Sequence, residues 1–165
     1  MAGEKARLNE SEIDWSVDLS PKGKFESHNK SLSFELSAAA RVPDRHAPVR
    51  RRPFEVELVK LSPGKWNCPR HYHSEQWEYY IVVAGHGEML QENGKSSIPM
   101  EPGDHIVQPP GWIHTVANTG KEDLIYYVIA DNPVDEHCYY PDSDKWSAAG
   151  AIFRMQEADY FEGEE

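Results

Sequence analysis

The chain predicts an all-β sandwich or barrel. Short alternating or apolar runs recur roughly every eight to twelve residues, the spacing of a many-stranded domain. Twelve Pro and eleven Gly among 165 residues punctuate these runs. No stretch sustains the 3.6-residue period of a long helix. Together these features favour short strands joined by tight corners.

In chain order, residues 1–30 are polar and turn-rich, broken at Ser20-Pro21-Lys22-Gly23. They are expected to form an N-terminal arm lying on the domain or reaching to a neighbour. Leu32, Phe34 and Leu36 alternate as in a short strand over Ser31–Leu36, although Ala38-Ala39-Ala40 also tolerates a helical turn. Arg41–Pro53 carries five Arg, three Pro and His46, and reads as a loop. Phe54–Leu61 alternates like a half-buried strand, and Ser62-Pro63-Gly64 turns it. Asn67–His73 is the next predicted strand, followed by the apolar Glu78–Val83, which ends at Gly85-His86-Gly87. Met89–Gln91 and Ser96–Met100 flank Asn93-Gly94, a strong hairpin signal. Pro102-Gly103-Asp104 precedes a short extended run, His105–Gln108. Thr115–Ala117 and Leu124–Ala130 form a last pair across Asn118-Thr119-Gly120-Lys121. The main domain is therefore placed at 31–140, with a C-terminal extension at 141–165. In that extension Trp146–Met155 suits either a helix or an added strand.

Composition bounds the function. A net charge of −11 and a pI near 5.1 argue against nucleic acid and anionic membranes as partners. No apolar run approaches the ~20 residues of a membrane span, and the charged N-terminus does not read as a secretion signal. A cytoplasmic protein is expected, with Cys68 and Cys138 reduced rather than bridged.

One constellation carries chemistry. His71 and His73 lie two residues apart, so on a strand both rings face one side. Glu78 has the opposite parity, so Ser74-Glu75-Gln76 must turn the chain before Glu78 opens the next strand toward the same interior. Pro109-Pro110-Gly111 makes a corner that could return His114 to the same point. Three imidazoles and one carboxylate suit a divalent transition metal. Glu75 is the alternative carboxylate, but it sits in the predicted turn. Tyr80 and Val82 share the parity of Glu78 and should face inward, whereas Tyr79, Ile81 and Val83 should face outward. Tyr80 and His105 are the candidate proton-transfer residues, although His105 also suits the surface. Trp112 should rim the mouth, and one of Tyr126 and Tyr127 must point in. Trp66 and Trp77 flank the ligand strands, where packing accounts for them as well as substrate stacking does. The Arg50-Arg51-Arg52 run invites a phosphate-binding reading, but three adjacent arginines cannot all aim at one point, and such runs are normally solvated.

These residues resemble the two motifs of the cupin superfamily. The first, G-(x)5-H-x-H-(x)3,4-E-(x)6-G, is met by Gly64, His71, His73, Glu78 and Gly85, with six residues rather than five between Gly64 and His71. The second, G-(x)5-P-x-G-(x)2-H-(x)3-N, is met at every spacing by Gly103, Pro109, Gly111, His114 and Asn118. The segment Tyr139–Lys145 also resembles small single-domain bacterial cupins, some of which carry a sugar-phosphate isomerase label. The resemblance implies a jelly-roll barrel, a double-stranded β-helix, in which His71, His73, Glu78 and His114 meet one Fe, Mn, Ni or Zn ion. Such an ion would keep open positions for substrate. Iron or nickel would favour dioxygen chemistry, and manganese or zinc isomerisation, on a small oxygen-rich molecule. The alternative is a cupin that binds or senses a small ligand without turnover. Cupins of this kind are commonly homodimers, which is the expected state.

Overall fold

The computed structural model describes residues 7–39, 53–92 and 94–164. Strands β1 (Ser16–Leu19) and β2 (Glu26–Ser31) lead into helix α1 (Leu32–Ala39). Then follow β3 (Phe54–Leu61), β4 (Tyr72–His73), β5 (Glu78–Ala84), β6 (Gly87–Gln91) and β7 (Ser96–Met100). The chain continues through β8 (His105–Gln108), β9 (His114–Ala117) and β10 (Leu124–Asp131). It closes with β11 (His137–Tyr140), β12 (Lys145–Ala148) and β13 (Ala151–Phe153). The result is an all-β jelly-roll barrel: the strand spacing predicts a sandwich or barrel, and the cupin resemblance implies the jelly roll.

The strands form three sheets, ordered β1-β2-β3-β10-β5-β8, β7-β6-β9 and β13-β12-β11-β4. Val59, Leu61, Tyr80, Val82, Leu124 and Tyr126 of the first sheet meet Met89, Met100 and Val116 of the second in one core. The inward parity of Tyr80 and Val82 is observed, while Tyr79 and Val83 are exposed. On β10 Tyr126 is the inward tyrosine; Tyr127 points out and its hydroxyl donates to the Glu10 carboxylate. Gly85 (φ 77°) permits the corner after β5, since a Cβ there would lie 2.2 Å from the Asp123 carbonyl oxygen. No helix among the described residues is long and apolar enough to cross a membrane.

Three regions differ from the sequence expectation. The stretch expected as an arm contributes β1 and β2, which extend the six-stranded sheet from its β3 side. Leu32–Ala39 is helical rather than a strand, and its Ser33 hydroxyl accepts from the Val56 amide on β3. The Asn67–His73 strand is reduced to β4, with isolated bridges at Trp66 and His71. The β6–β7 hairpin, by contrast, pairs Gln91 with Ser96, the strand ends that the sequence predicts; Asn93 lies outside the described residues, as do residues 41–52 with Arg50-Arg51-Arg52. The C-terminal extension resolves as strands: β12 and β13 form a hairpin against β11.

Candidate metal centre

Glu78 and His114 occupy the first positions of β5 and β9. Glu78 is held in register between Gln108 and Ala130 on either side. His71 and His114 are joined by two backbone bonds, His71 N–H to His114 O at 3.1 Å and the reverse at 2.8 Å. His73 follows on β4, paired to Cys138 of β11. The turn at Ser74–Gln76 then brings Glu78 inward, as its parity required. One ligand atom from each of His71, His73, Glu78 and His114 lies within 4.8 Å of all the others. That is the scale set by metal–ligand bonds of about 2.1 Å.

The hydrogen bonds favour a cation at this point. His71 Nδ1 lies 2.9 Å from the Pro69 carbonyl oxygen and His114 Nδ1 3.0 Å from the Trp112 carbonyl oxygen. His73 Nδ1 lies 2.9 Å from Glu136 Oε1. Carbonyl and carboxylate oxygens only accept, so each Nδ1 donates and each Nε2 is turned to the common centre. There His71 Nε2 and His73 Nε2 stand 3.1 Å apart, and His114 Nε2 is 2.7 Å from Glu78 Oε2. The two facing imidazole nitrogens can share at most one proton. A divalent metal accepts all four lone pairs at once, so the donor set fits the ion that the motifs imply.

Charge is distributed accordingly. Burial works against ionisation of Glu78, but His114 and His73 outweigh it and hold its pKa well below the ordinary range. Burial, aided by the charge of His73, pushes His71 down and keeps it neutral. Burial alone would lower His73 too, yet Cys138 and Glu78 reverse this and raise it. Tyr80 is pushed far up by burial and by the Glu78 charge. Its hydroxyl donates to Glu78 Oε2 at 2.9 Å, orienting the carboxylate.

Of the two proton-transfer candidates, only Tyr80 touches the cluster. His105 is exposed on β8, where its Nδ1 meets the Tyr79 hydroxyl at 3.0 Å. Both residues belong to the outward parity of their paired strands, which removes His105 from the cavity. Trp112 is also displaced; it lines a separate groove with Arg70 and Asp142. Trp66 packs edge-on against Phe25, and Trp77 is exposed. Glu75 is exposed in the turn and only its backbone is engaged there.

Sequence reasoning missed Glu136. Besides holding His73, its carboxylate accepts from the backbone N–H groups of Ser74 (3.3 Å), Glu75 (3.0 Å) and Gln76 (2.8 Å). It thus shapes the turn that reverses parity between His73 and Glu78. No periodic signal marks it, because it lies in a loop some sixty positions away. Both cysteines are free and both line the ligand cavity. Cys68 Sγ is 3.6 Å from His71 Nδ1, and burial pushes its thiol up to about 12. Tyr140 lies beside His71, with ring centroids 5.9 Å apart.

Three imidazoles and one carboxylate thus converge inside a jelly-roll barrel as a group that could hold a metal ion. Residues 57–130 match the model of the cupin domain, so the barrel of this chain is a cupin domain. It is similar to the glucose-6-phosphate isomerase of Pyrococcus abyssi, 41% identical over 79 residues that cover 42% of each chain. It is similar also to the oxalate-binding protein of Thermotoga maritima, 32% identical over 71 residues, 43% of this chain and 56% of that one. The chain thus spans about two-fifths of the isomerase and just over half of the oxalate-binding protein. Among solved structures it superposes on a candidate sugar phosphate isomerase from Acidithiobacillus ferrooxidans with a TM-score of 0.70. That match covers 93% of this chain and 98% of the other at 23% identity, a likeness of fold.

Proposed function

We propose that this chain is a metal-dependent enzyme, of isomerase type, acting on a small hydroxy-carbonyl compound. The observation that carries the reading is the convergence of His71, His73, Glu78 and His114 within 4.8 Å, with every imidazole Nδ1 engaged by an oxygen. A metal held by these four would supply a Lewis acid with positions for two substrate oxygens. Glu78 contributes negative charge to the set, and Tyr80 fixes the direction of its carboxylate. Burial keeps the Tyr80 hydroxyl protonated throughout the neutral range, so it serves as a standing donor. The relatives support isomerisation, which moves a proton between adjacent carbons and needs no oxidant.

The test is elemental analysis of protein purified without a His-tag or chelator, then an isomerase screen on the metal-loaded protein. Near-stoichiometric metal in the wild type, lost in His71→Ala and retained in the exposed-site control His86→Ala, is the expected result. Equal metal in all three would overturn the ligand set. Metal without turnover would favour a second reading, ligand capture alone, which the similarity to an oxalate-binding protein supports.

We also propose a cytoplasmic homodimer. The outer face of the six-stranded sheet leaves Phe54, Trp77, Tyr79, Val83 and Val107 exposed, and contiguous apolar surface of this kind suits a second copy. A monomeric mass at micromolar concentration in light scattering would exclude the dimer.

A further inference from the structure

The cavity holding the ligand cluster has a volume of about 620 Å3 and reaches well beyond the ligands. Asp18, Ser27 and Asn29 of the first hairpin and Glu57 of β3 line it together with His71, His73 and Glu78. The three hairpin residues lie outside the segment 57–130 that matches the cupin domain. Its donors are used within the wall. Asn29 Nδ2 donates to Asp18 Oδ2 and to Ser27 Oγ, each at 3.0 Å, and Ser31 Oγ donates to Glu57 Oε1 at 2.7 Å. The Ser27 hydroxyl apart, what remains for a ligand is a set of acceptor oxygens, two of the groups being carboxylates.

No Lys or Arg stands among the described residues that line the cavity. The cations near the hairpin are engaged elsewhere. Lys24 Nζ sits 3.8 Å from the centroid of the Trp66 ring, Lys30 Nζ donates to the Glu10 carbonyl at 2.7 Å, and Lys65 Nζ pairs with Glu26 at 2.8 Å. A phosphate group entering beside Asp18 and Glu57 would meet like charge and no Lys or Arg among the described lining residues, which disfavours it. Hydroxyl groups, by contrast, would donate to those same oxygens.

We infer that the hairpin wall selects an uncharged polyhydroxy carbonyl compound, a free sugar, over its phosphorylated counterpart. The inference rests on the metal-site reading above and narrows its substrate class. Two adjacent oxygens of the sugar would meet the metal, and its further hydroxyls would donate to Asp18 and Glu57.

The experiment is calorimetric titration of the full metal-loaded chain with matched probes: glucose against glucose 6-phosphate, and fructose against fructose 6-phosphate. Metal content is measured on the same samples. At least one free sugar should bind ten-fold or more tightly than its phosphate. The Asp18→Asn/Glu57→Gln double variant should narrow that ratio several-fold while keeping its metal. Tighter binding of the phosphates, no binding of either free sugar, or a ratio unmoved by the double variant would overturn the inference. Absence of metal from the wild type would instead overturn the reading beneath it, so the two failures are separable.

Discussion

The four proposed ligands come from two kinds of backbone. Glu78 and His114 open regular strands whose neighbours are set by ladder hydrogen bonds. His71 and His73 sit where strand pairing nearly fails: one lies at an isolated bridge and the other ends a two-residue strand. The irregular pair is held by side chains and by the C-terminal sheet. Glu136 grips His73 and the turn after it, while Arg70, just before His71, pairs with Asp142. A strand positions a ligand through many weak, cooperative bonds; a loop needs specific partners at each point.

Mutations should expose that asymmetry, beginning with the ligands themselves. His114→Ala removes a buried donor from the centre and should reduce metal content to near zero by elemental analysis, with the β-sheet circular dichroism retained. Glu136→Gln keeps the size of the side chain but weakens its hold on His73 and three backbone amides. We expect metal affinity to fall by about 10–100-fold, the range for lost outer partners of ligands, measured by competition with a chelator. If Glu136→Gln leaves affinity unchanged, the irregular pair is as self-supporting as the regular one and the contrast fails.

Tyr80→Phe tests the regular side, where the ladder should do most of the positioning. It removes one hydrogen bond to Glu78 and should lower stability by about 1 kcal/mol in thermal unfolding of the metal-free protein. Its effect on metal affinity should be smaller than that of Glu136→Gln.

The smallest effect concerns Arg70 and Asp142. The side-chain hydrogen bond from Arg70 holds the Asp142 pKa below its ordinary 3.8. The pair therefore adds stability above that value and loses it as pH falls through the lower folded pKa. Asp142 is more than half exposed, so solvent screening keeps the contribution below about 1 kcal/mol. Acid unfolding curves of wild type and Asp142→Asn should be slightly separated above the ordinary Asp value and converge only as pH falls below it through the folded pKa. Separation that grew on acidification would contradict the assigned sign.

How much was legible beforehand follows the same division. Period-two alternation placed Tyr80 and Val82 inside and Tyr79 outside, because register on a regular strand is a local property. The parity break between His73 and Glu78 was equally readable, and it required the turn that Glu136 shapes. Alternation suggested a short strand over Ser31–Leu36, with a helical turn as the alternative at Ala38-Ala39-Ala40. The chain coils into a helix over Leu32–Ala39, packed against β3. Alternation could not place His105 with certainty. That residue pairs across from Ile81 on the outer face, a fact of sheet assembly rather than of its own neighbours.

The amino-acid order by itself determined the class of fold, the ligand set proposed for the metal and the corner glycines that let strands approach. The glycines and the parity of His71, His73 and Glu78 depend on spacing within a few residues. His114, 36 positions beyond Glu78, entered through its Pro/Gly corner and the second cupin motif. Only the tertiary structure decided that residues 16–31 join the sheet and line the cavity, that Glu136 reaches back to His73, and that Cys68 and Cys138 stand beside the ligands. These are contacts between distant segments, chosen by which faces pack and which polar groups must be satisfied, and no local pattern encodes them.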